Sequence, residues 1–471
     1  MRIAFALYGE VAGIIERDAG RTTLRYLSEY RATENPTPLS LSMPVAATTY
    51  TARPVEAYLT GLLPDHHEVR RRWARKAGVR DGDTLGLVAH VGLDVAGGAV
   101  FAAEDAIAEA ISTPGSLQPA SEADIAARLR RVRQDAAAWR EDEDDEPWSL
   151  AGAQSKFTLA QTADGWAFAE GAAPSTHIVK PGIGRIRAQA LSEHVSMRAL
   201  DIAGLPVAQS RYLTFDDQDA IVVTRFDRRR DAAGNIVRVH QEDLVQAFGM
   251  DPARKYEADR GPGVARIASL IRAVAGPDSV ARFARAVIAN QILGAPDAHG
   301  KNYSLLLIGS AASLTPLYDV ATGLIPDERG LLRYSKGAMS IGGERRFGDV
   351  EREHWERFAT ALGIAPHEVL GWVEELATSL PDAFRQAAHE TSGPDADLLA
   401  GPVAGHIAAV ARQTLRNLTT TRRLRGRLVT PFLQSLPGQP PARRAPTSRD
   451  MTGPPGEDDA WGDDLSAPGS S

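Results

Sequence analysis

Short runs in which apolar and polar positions alternate fill the first half of the chain, and apolar positions at helical spacing fill most of the second. At the start, MRIAFALYG, GIIERDAG and TTLRYLSEY read as strands of a meander turned at Asp18-Ala19-Gly20, while VEAYLTGLLP and HHEVRRRWARKAGV read as two helices. Residues 1–105 are thus expected to form a small α+β domain. An interval at 106–146 reads as a linker and charged helix: Ala, Ser and Pro crowd Ile111 to Ser121, Arg128, Arg130, Arg131 and Arg133 follow, and the acidic run EDEDDE closes it at 141–146. At 147–236 a small-residue turn, SLAGAQSKFTLA, leads into strand-like THIVKP, helical SEHVSMRALDIAG and the β run AIVVTRF. From 237 to 435 the pattern turns helical, with QEDLVQAFGM, ARIASLIRAVAG, ARFARAVIANQIL, EREHWERFATALG, HEVLGWVEELATSL and AGHIAAVARQTLRNL. Residues 436–471, rich in Pro, Gly, Ser and Asp, have little to bury and are expected to be disordered.

One stretch breaks the helical pattern. From Ala289 the chain runs ANQILGAPDAHGKNYSLLLIGSAASLTPLYD, an apolar helical segment that stops at Gly294 and Pro296 and presents Asp297, His299, Lys301 and Asn302 before two extended runs that end at Asp319. A hairpin between the runs would bring the polar loop and the second acid together. That trio suits phosphoryl transfer, which needs a carboxylate for the hydroxyl proton, an amide oxygen for Mg2+, and a second carboxylate between metal and phosphates. Any one of the three alone would read as a turn or strand-end residue. Their spacing, Asp-x-x-x-x-Asn followed by a hairpin and an acid, favours the chemical reading.

Composition narrows the class. With 471 residues and 43% hydrophobic content the chain can bury a sizeable core in two or three domains. No apolar run is long enough to span a bilayer and Met1 opens a strand, so no membrane association and a cytoplasmic location are expected. The absence of Cys excludes disulfides and thiolate chemistry, leaving oxygen or imidazole for any metal. A net charge of −7 gives no reason for the whole chain to bind nucleic acid. The basic residues are lopsided: only six of 53 are Lys, at 76, 156, 180, 255, 301 and 336, so the survivors are candidates for positions where a compact ammonium is required, against the alternative of chance survival. Lys76 and Lys255 are the two most readily ascribed to chance. His66-His67 read as a loop at a helix start, and His240 and Glu242 as a polar cluster where a helix begins.

Elsewhere the signals are weaker. Gly152 beside Ala151 and Ala153 leaves room for backbone N–H groups to approach phosphate oxygens, with Lys156 reaching them from the side, although neither GxGxxG nor a Walker A sequence is present. Lys180 near the end of THIVKP and Glu193 at the start of the next helix fit a strand lysine paired to a helix glutamate. Backbone from Thr224 to Phe226 fits a hinge for adenine.

Together SLAGAQSK, THIVKP, SEHVSMRALDIAGL, TRFDRR, RVHQEDLVQAFG with KYE, DAHGKNYS, LTPLYDV, PLSLSMPV and GLLPD resemble the HipA-type toxin serine/threonine kinases of bacterial toxin-antitoxin systems, over nearly the whole chain to about residue 400. The resemblance implies a two-lobe kinase-like fold of the lipid-kinase-like branch, with a β-rich N-lobe at 147–236 and a mainly helical C-lobe at 237–435. It implies ATP and Mg2+ as cofactors, Asp297 as catalytic base, Asn302 and Asp319 as metal ligands, and Lys180 as the ATP-phosphate lysine. Gly152, Ala153 and Gln154 would form the phosphate turn, Thr224 and Phe226 the hinge, and Ser149 would be an autophosphorylation site acting as an off switch. A protein substrate is implied, such as an aminoacyl-tRNA synthetase or another translation factor. So is a small helix-turn-helix antitoxin of HipB type, with DNA reached only through it. Ser155 and Ala295-Pro296 depart from the family's usual residues. Two rival readings are a metal-dependent phosphoester hydrolase using Asp297, His299 and Asp319, and an inactive pseudokinase that binds partners.

Overall fold

The computed structural model describes residues 1–139, 148–393 and 395–419. The acidic run and the expected disordered tail lie outside the described residues.

The meander forms as its pattern requires. Strands Arg2–Leu7, Glu10–Asp18, Arg21–Tyr26, Thr49–Thr51 and Ala99–Ala103 make one antiparallel sheet, and Asp18 pairs with Arg21 across a two-residue turn. That turn holds Ala19 at φ 47° and Gly20 at φ 79°, the positive values a tight hairpin between twisted strands demands. Helices Ala52–Gly61, His67–Lys76 and Thr84–Val91 follow, as expected for the first two.

The linker expectation fails. Ser116–Ala120 is a strand at the edge of a six-stranded sheet, paired with Trp166–Glu170, and the remaining strands are Phe157–Gln161, His177–Lys180, Gln218–Thr224 and Ser210–Phe215. Its Ala, Ser and Pro composition is tolerated because an edge strand needs hydrogen bonds on one side only. Helix Glu122–Gln134 begins with a capping box between Ser121 and Asp124. The first domain shares a core with the segments that follow it. One hydrophobic cluster runs from Ile3 and Phe5 through Tyr58 and Trp73 to Trp139, Trp148, Phe157 and Val222, with Trp73 meeting Trp148 edge-on at 6.0 Å.

The second core is mainly helical. Val264–Leu293 breaks its helix at Gly276 and Pro277 and packs with Arg352–Leu362, Pro366–Glu390 and Ala404–Thr419. QEDLVQAFGM is not a continuous helix. His240–Asp243 is a strand paired with Ser304–Ile308, which pairs in turn with Ala311–Leu314, and only Leu244–Ala247 is helical, capped by the Asp243 carboxylate. The polar cluster expected at a helix start therefore sits on a strand. His240 Nε2 bonds Leu39 O, and Glu242 accepts from Leu41 N at 2.7 Å, so these side chains seat the first domain's PLSLSM loop.

Candidate active site

Thirteen of the fourteen residues singled out from sequence line one cleft: Gly152, Ala153, Gln154, Lys156, Lys180, Glu193, Thr224, Phe226, Asp297, His299, Lys301, Asn302 and Asp319. Ser149 is the exception. It is fully buried, and its Oγ donates to Leu62 O at 2.8 Å.

The loop around Asp297 is shaped by how its helix ends. Gly294, at φ 65°, closes Val264–Leu293 in the left-handed conformation, where a Cβ would meet Leu324 at 2.5 Å. The chain then turns at Pro296, and a single 3-10 turn, Gly300–Asn302, returns it to the strand Ser304–Ile308. Asn302 Nδ2 donates to Asp297 O at 2.6 Å, which fixes the loop and leaves the amide oxygen as the acceptor. Tyr256 Oη donates to Asp297 Oδ1 at 2.5 Å. Burial pushes the Asp297 carboxyl up to about 7, opposed by the Lys255 charge and the Tyr256 hydrogen bond. His299 packs edge-on against the Tyr256 ring at 4.8 Å, and burial, with Lys255 and Lys301 nearby, drives its pKa down to about 3, so it is neutral.

Asp319 lies beyond the hairpin, as its spacing predicts, although the second strand is Ala311–Leu314 and not the longer run SLTPLYD. Its backbone is left-handed at φ 58°, an uncommon conformation for a residue with a Cβ. Lys180 Nζ donates to Glu193 Oε1 at 2.7 Å and to Asp319 Oδ1 at 2.6 Å. Burial works against the Lys180 charge, but the two carboxylates outweigh it and raise its pKa; burial likewise works against Asp319, and the Lys180 ammonium holds its carboxyl low.

At the turn, Gly152 has φ 104°, and a Cβ there would lie 2.7 Å from Lys156 Nζ. That ammonium donates to Ala151 O at 2.6 Å and sits 5.0 Å from the Trp139 ring centre, while burial, with Lys180 nearby, lowers its pKa to about 7. Gln154 bonds Gln189 at 2.9 Å. At the hinge Thr224 is exposed at the end of its strand and Phe226 packs on Tyr318 at 5.5 Å.

Several participants escaped the sequence reading. Lys255, ascribed there to chance, lies in the cleft with its Nζ 3.3 Å from Asp65 Oδ2, and Lys301 Nζ donates to Asp65 Oδ1 at 2.7 Å. Tyr256 and Asp65 fall in KYE and GLLPD, motifs that carried only resemblance, since neither periodicity nor spacing marks them. His66 precedes its helix without a side-chain cap, and exposed His67 pairs with Asp81. Among the described residues no group of three or more His, Asp or Glu is arranged to hold a metal, and no helix is long and apolar enough to cross a membrane.

Residues 148–384 match the HipA-like C-terminal domain family, and residues 4–102 match the HipA N-terminal domain family. Y4mE of Sinorhizobium fredii, a protein provisionally named a kinase, is 32% identical over 392 residues, covering 82% of this chain and 91% of its own. The serine/threonine-protein kinase toxin HipA of Shewanella oneidensis is 28% identical over 365 residues, 74% of this chain and 80% of its own. A solved structure of Shewanella oneidensis HipA with HipB and operator DNA matches with a TM-score of 0.75 and 25% identity, covering 88% of this chain and 97% of that one.

Proposed function

The chain belongs to the HipA family, and on that premise we propose that it is an ATP- and Mg2+-dependent protein serine/threonine kinase acting as the toxin of a toxin-antitoxin pair. The observation that carries this reading is Lys180, held between Glu193 at 2.7 Å and Asp319 at 2.6 Å in the cleft that also holds Asp297 and Asn302. In a metal-dependent hydrolase the Lys180–Glu193 pair would have no role. The donor set suits a hard cation shared with nucleotide phosphates, because Mg2+ is commonly held by one or two protein oxygens plus phosphate. Asp319 and the amide oxygen of Asn302 would hold it, and when bound it would neutralise charge on the transferring phosphates.

In the proposed step the substrate hydroxyl oxygen bonds to the γ-phosphorus, the bond from that phosphorus to the bridging oxygen breaks, and ADP leaves. The hydroxyl proton passes to Asp297, whose raised pKa matches that task near neutral pH. Lys180 steadies the phosphates, Gly152 to Gln154 face them with backbone N–H groups, and Thr224 with Phe226 meets adenine. The overall architecture would then be a β-rich N-lobe and helical C-lobe of the lipid-kinase-like branch. By analogy with the HipA–HipB assembly, the partner would be a HipB-type antitoxin that contacts DNA on the toxin's behalf.

Ser149 serves as the off switch in this reading. Phosphate there would replace a hydrogen bond to Leu62 O with about −1.5 to −2 charges, so the turn has to leave its seat before Ser149 can react and cannot return afterwards. Incubation of purified protein with labelled ATP, Mg2+ and a cell lysate tests the activity, and label must appear on protein. Mass spectrometry should find phosphate on Ser149 in wild type and none in Asp297→Asn, with nucleotide affinity falling as occupancy rises. Label found only as free phosphate would overturn the kinase reading.

A further inference from the structure

The first domain supplies one carboxylate to the cleft. Asp65 lies in the short connection between helices Ala52–Gly61 and His67–Lys76, and it touches both sides of the site. Its backbone N–H donates to Gly152 O at 2.9 Å, beside a parallel bridge that pairs Pro64 with Gly152. Its carboxylate accepts from Lys301 at 2.7 Å and lies 3.3 Å from Lys255. Lys301 immediately precedes Asn302, and Lys255 immediately precedes Tyr256, the residue that donates to Asp297. The phosphate turn, through the Asp65 backbone, and the two segments that frame Asp297, through its carboxylate, therefore converge on one residue that belongs to none of them.

The connection is held at a fixed distance. A Cβ on Gly61 would meet Gln246 Cγ at 2.8 Å, so a larger residue would push aside Gln246, whose Nε2 donates to Tyr58 O at 3.0 Å. A contact that merely joined domains would be served by any Arg–carboxylate pair, and this chain has many. The Asp65 contact instead engages two of only six lysines, both facing the cleft. Two ammonium groups converging on one carboxylate repel each other, so without that charge Lys301 and Lys255 would part and move the residues that follow them.

Resting on the kinase reading above, we propose that Asp65 is a positioning residue for phosphoryl transfer: it orients Lys301 beside the catalytic loop and ties the phosphate turn to that loop, making the first domain a wall of the active site. Asp65→Asn keeps the backbone N–H and removes the charge. It should lower kcat on the order of 10²-fold, as misplacement by about 1 Å does. KM for ATP should stay within about threefold, since the turn remains bridged to residue 65. A purely structural role would lower the melting temperature and leave kcat intact in the folded protein.

Because Asp65→Asn removes a negative charge shared by two lysines, Asp65→Asn/Lys301→Gln is measured beside Lys301→Gln, each well below its melting temperature. If Asp65 acts through Lys301, the double variant should match Lys301→Gln alone. Wild-type kcat in folded Asp65→Asn, or losses that multiply in the double variant, would overturn the assignment. Wild type that transfers no phosphate to protein would instead sink the kinase reading, so the two failures are told apart.

Discussion

Two clusters of buried charge border the cleft, and they are built from different cations. Behind the hinge, Arg225 donates to Asp227, Asp94, Ser175 and the carbonyl of Val95, and Arg228 donates to Asp94 and the carbonyl of Gly97, with the charged side chains 1–3% exposed. The planar forks have every position matched to an oxygen except Arg228 Nε, and the cluster is closed. At the other cluster Lys180 meets Glu193 and Asp319, and the Asp319 side chain keeps 39% of its surface exposed. An ammonium has three hydrogens and two are engaged here, so one remains for a phosphate oxygen. Four of the six lysines, 156, 180, 255 and 301, line this cleft. In a chain that uses arginine for structure, lysine marks the open site.

The most damaging way to break the contrast is at the acids of the open cluster. Asp297→Asn removes the proposed proton acceptor and should lower kcat by about 10²- to 10⁴-fold while leaving Mg-ATP affinity nearly intact. Asp319→Asn should abolish transfer and weaken Mg-ATP as well. Calorimetric titration separates them, and undiminished affinity in Asp319→Asn would remove that residue from the metal site.

At the closed cluster the same kind of change should act on stability. Asp94→Ala leaves Arg225 and Arg228 buried without one of their two acids, and removing one partner of such a pair costs about 3–5 kcal/mol. Chemical denaturation measures it. A folded Asp94→Ala with wild-type stability would show that Asp227 alone suffices.

The contrast also explains what could be read in advance. Asp297, Asn302 and Asp319 were legible because they sit within 23 residues on a loop and hairpin whose apolar runs frame them. The meander and the long helices were legible by periodicity. The edge strand Ser116–Ala120 was not, since all but one of its residues are exposed and it carries no alternation. The strand His240–Asp243 was missed because its buried positions are polar, facing a loop 201 residues away in sequence. Asp65, Tyr256 and the Asp94–Arg225 pair depend on contacts between distant segments, and only the fold brings those together.

Exchanging the cations sharpens the comparison. Lys180→Arg keeps the charge but puts a longer planar fork between Glu193 and Asp319, so kcat should fall on the order of 10²-fold. Near wild-type transfer by the Arg variant would mean that position 180 supplies charge alone and that the scarcity of lysine carries no information.

The smallest effect is a matter of pH, and the two clusters should respond with opposite signs. Asp297, raised to about 7, can serve as the proposed base only when ionised, so kcat should fall about tenfold per unit below that value. Because its folded pKa lies above the ordinary carboxylate value, the folded chain binds this proton more tightly, and its contribution to stability decreases as pH rises from about 4 to about 7. For Asp94 and Asp227, burial opposes ionisation but the arginines outweigh it and hold both carboxyls low. Their contribution is present above the ordinary carboxylate range and is lost only as pH falls below it. The acid limb of kcat should therefore appear while the melting temperature holds or rises. Tyr256→Phe removes a hydrogen bond that favours the ionised carboxylate, so it should move the limb to higher pH. Profiles of kcat at saturating Mg-ATP, with melting temperatures at each pH, decide it. A limb that Tyr256→Phe leaves in place would assign the titration to another group, and a limb that tracks melting would assign it to unfolding.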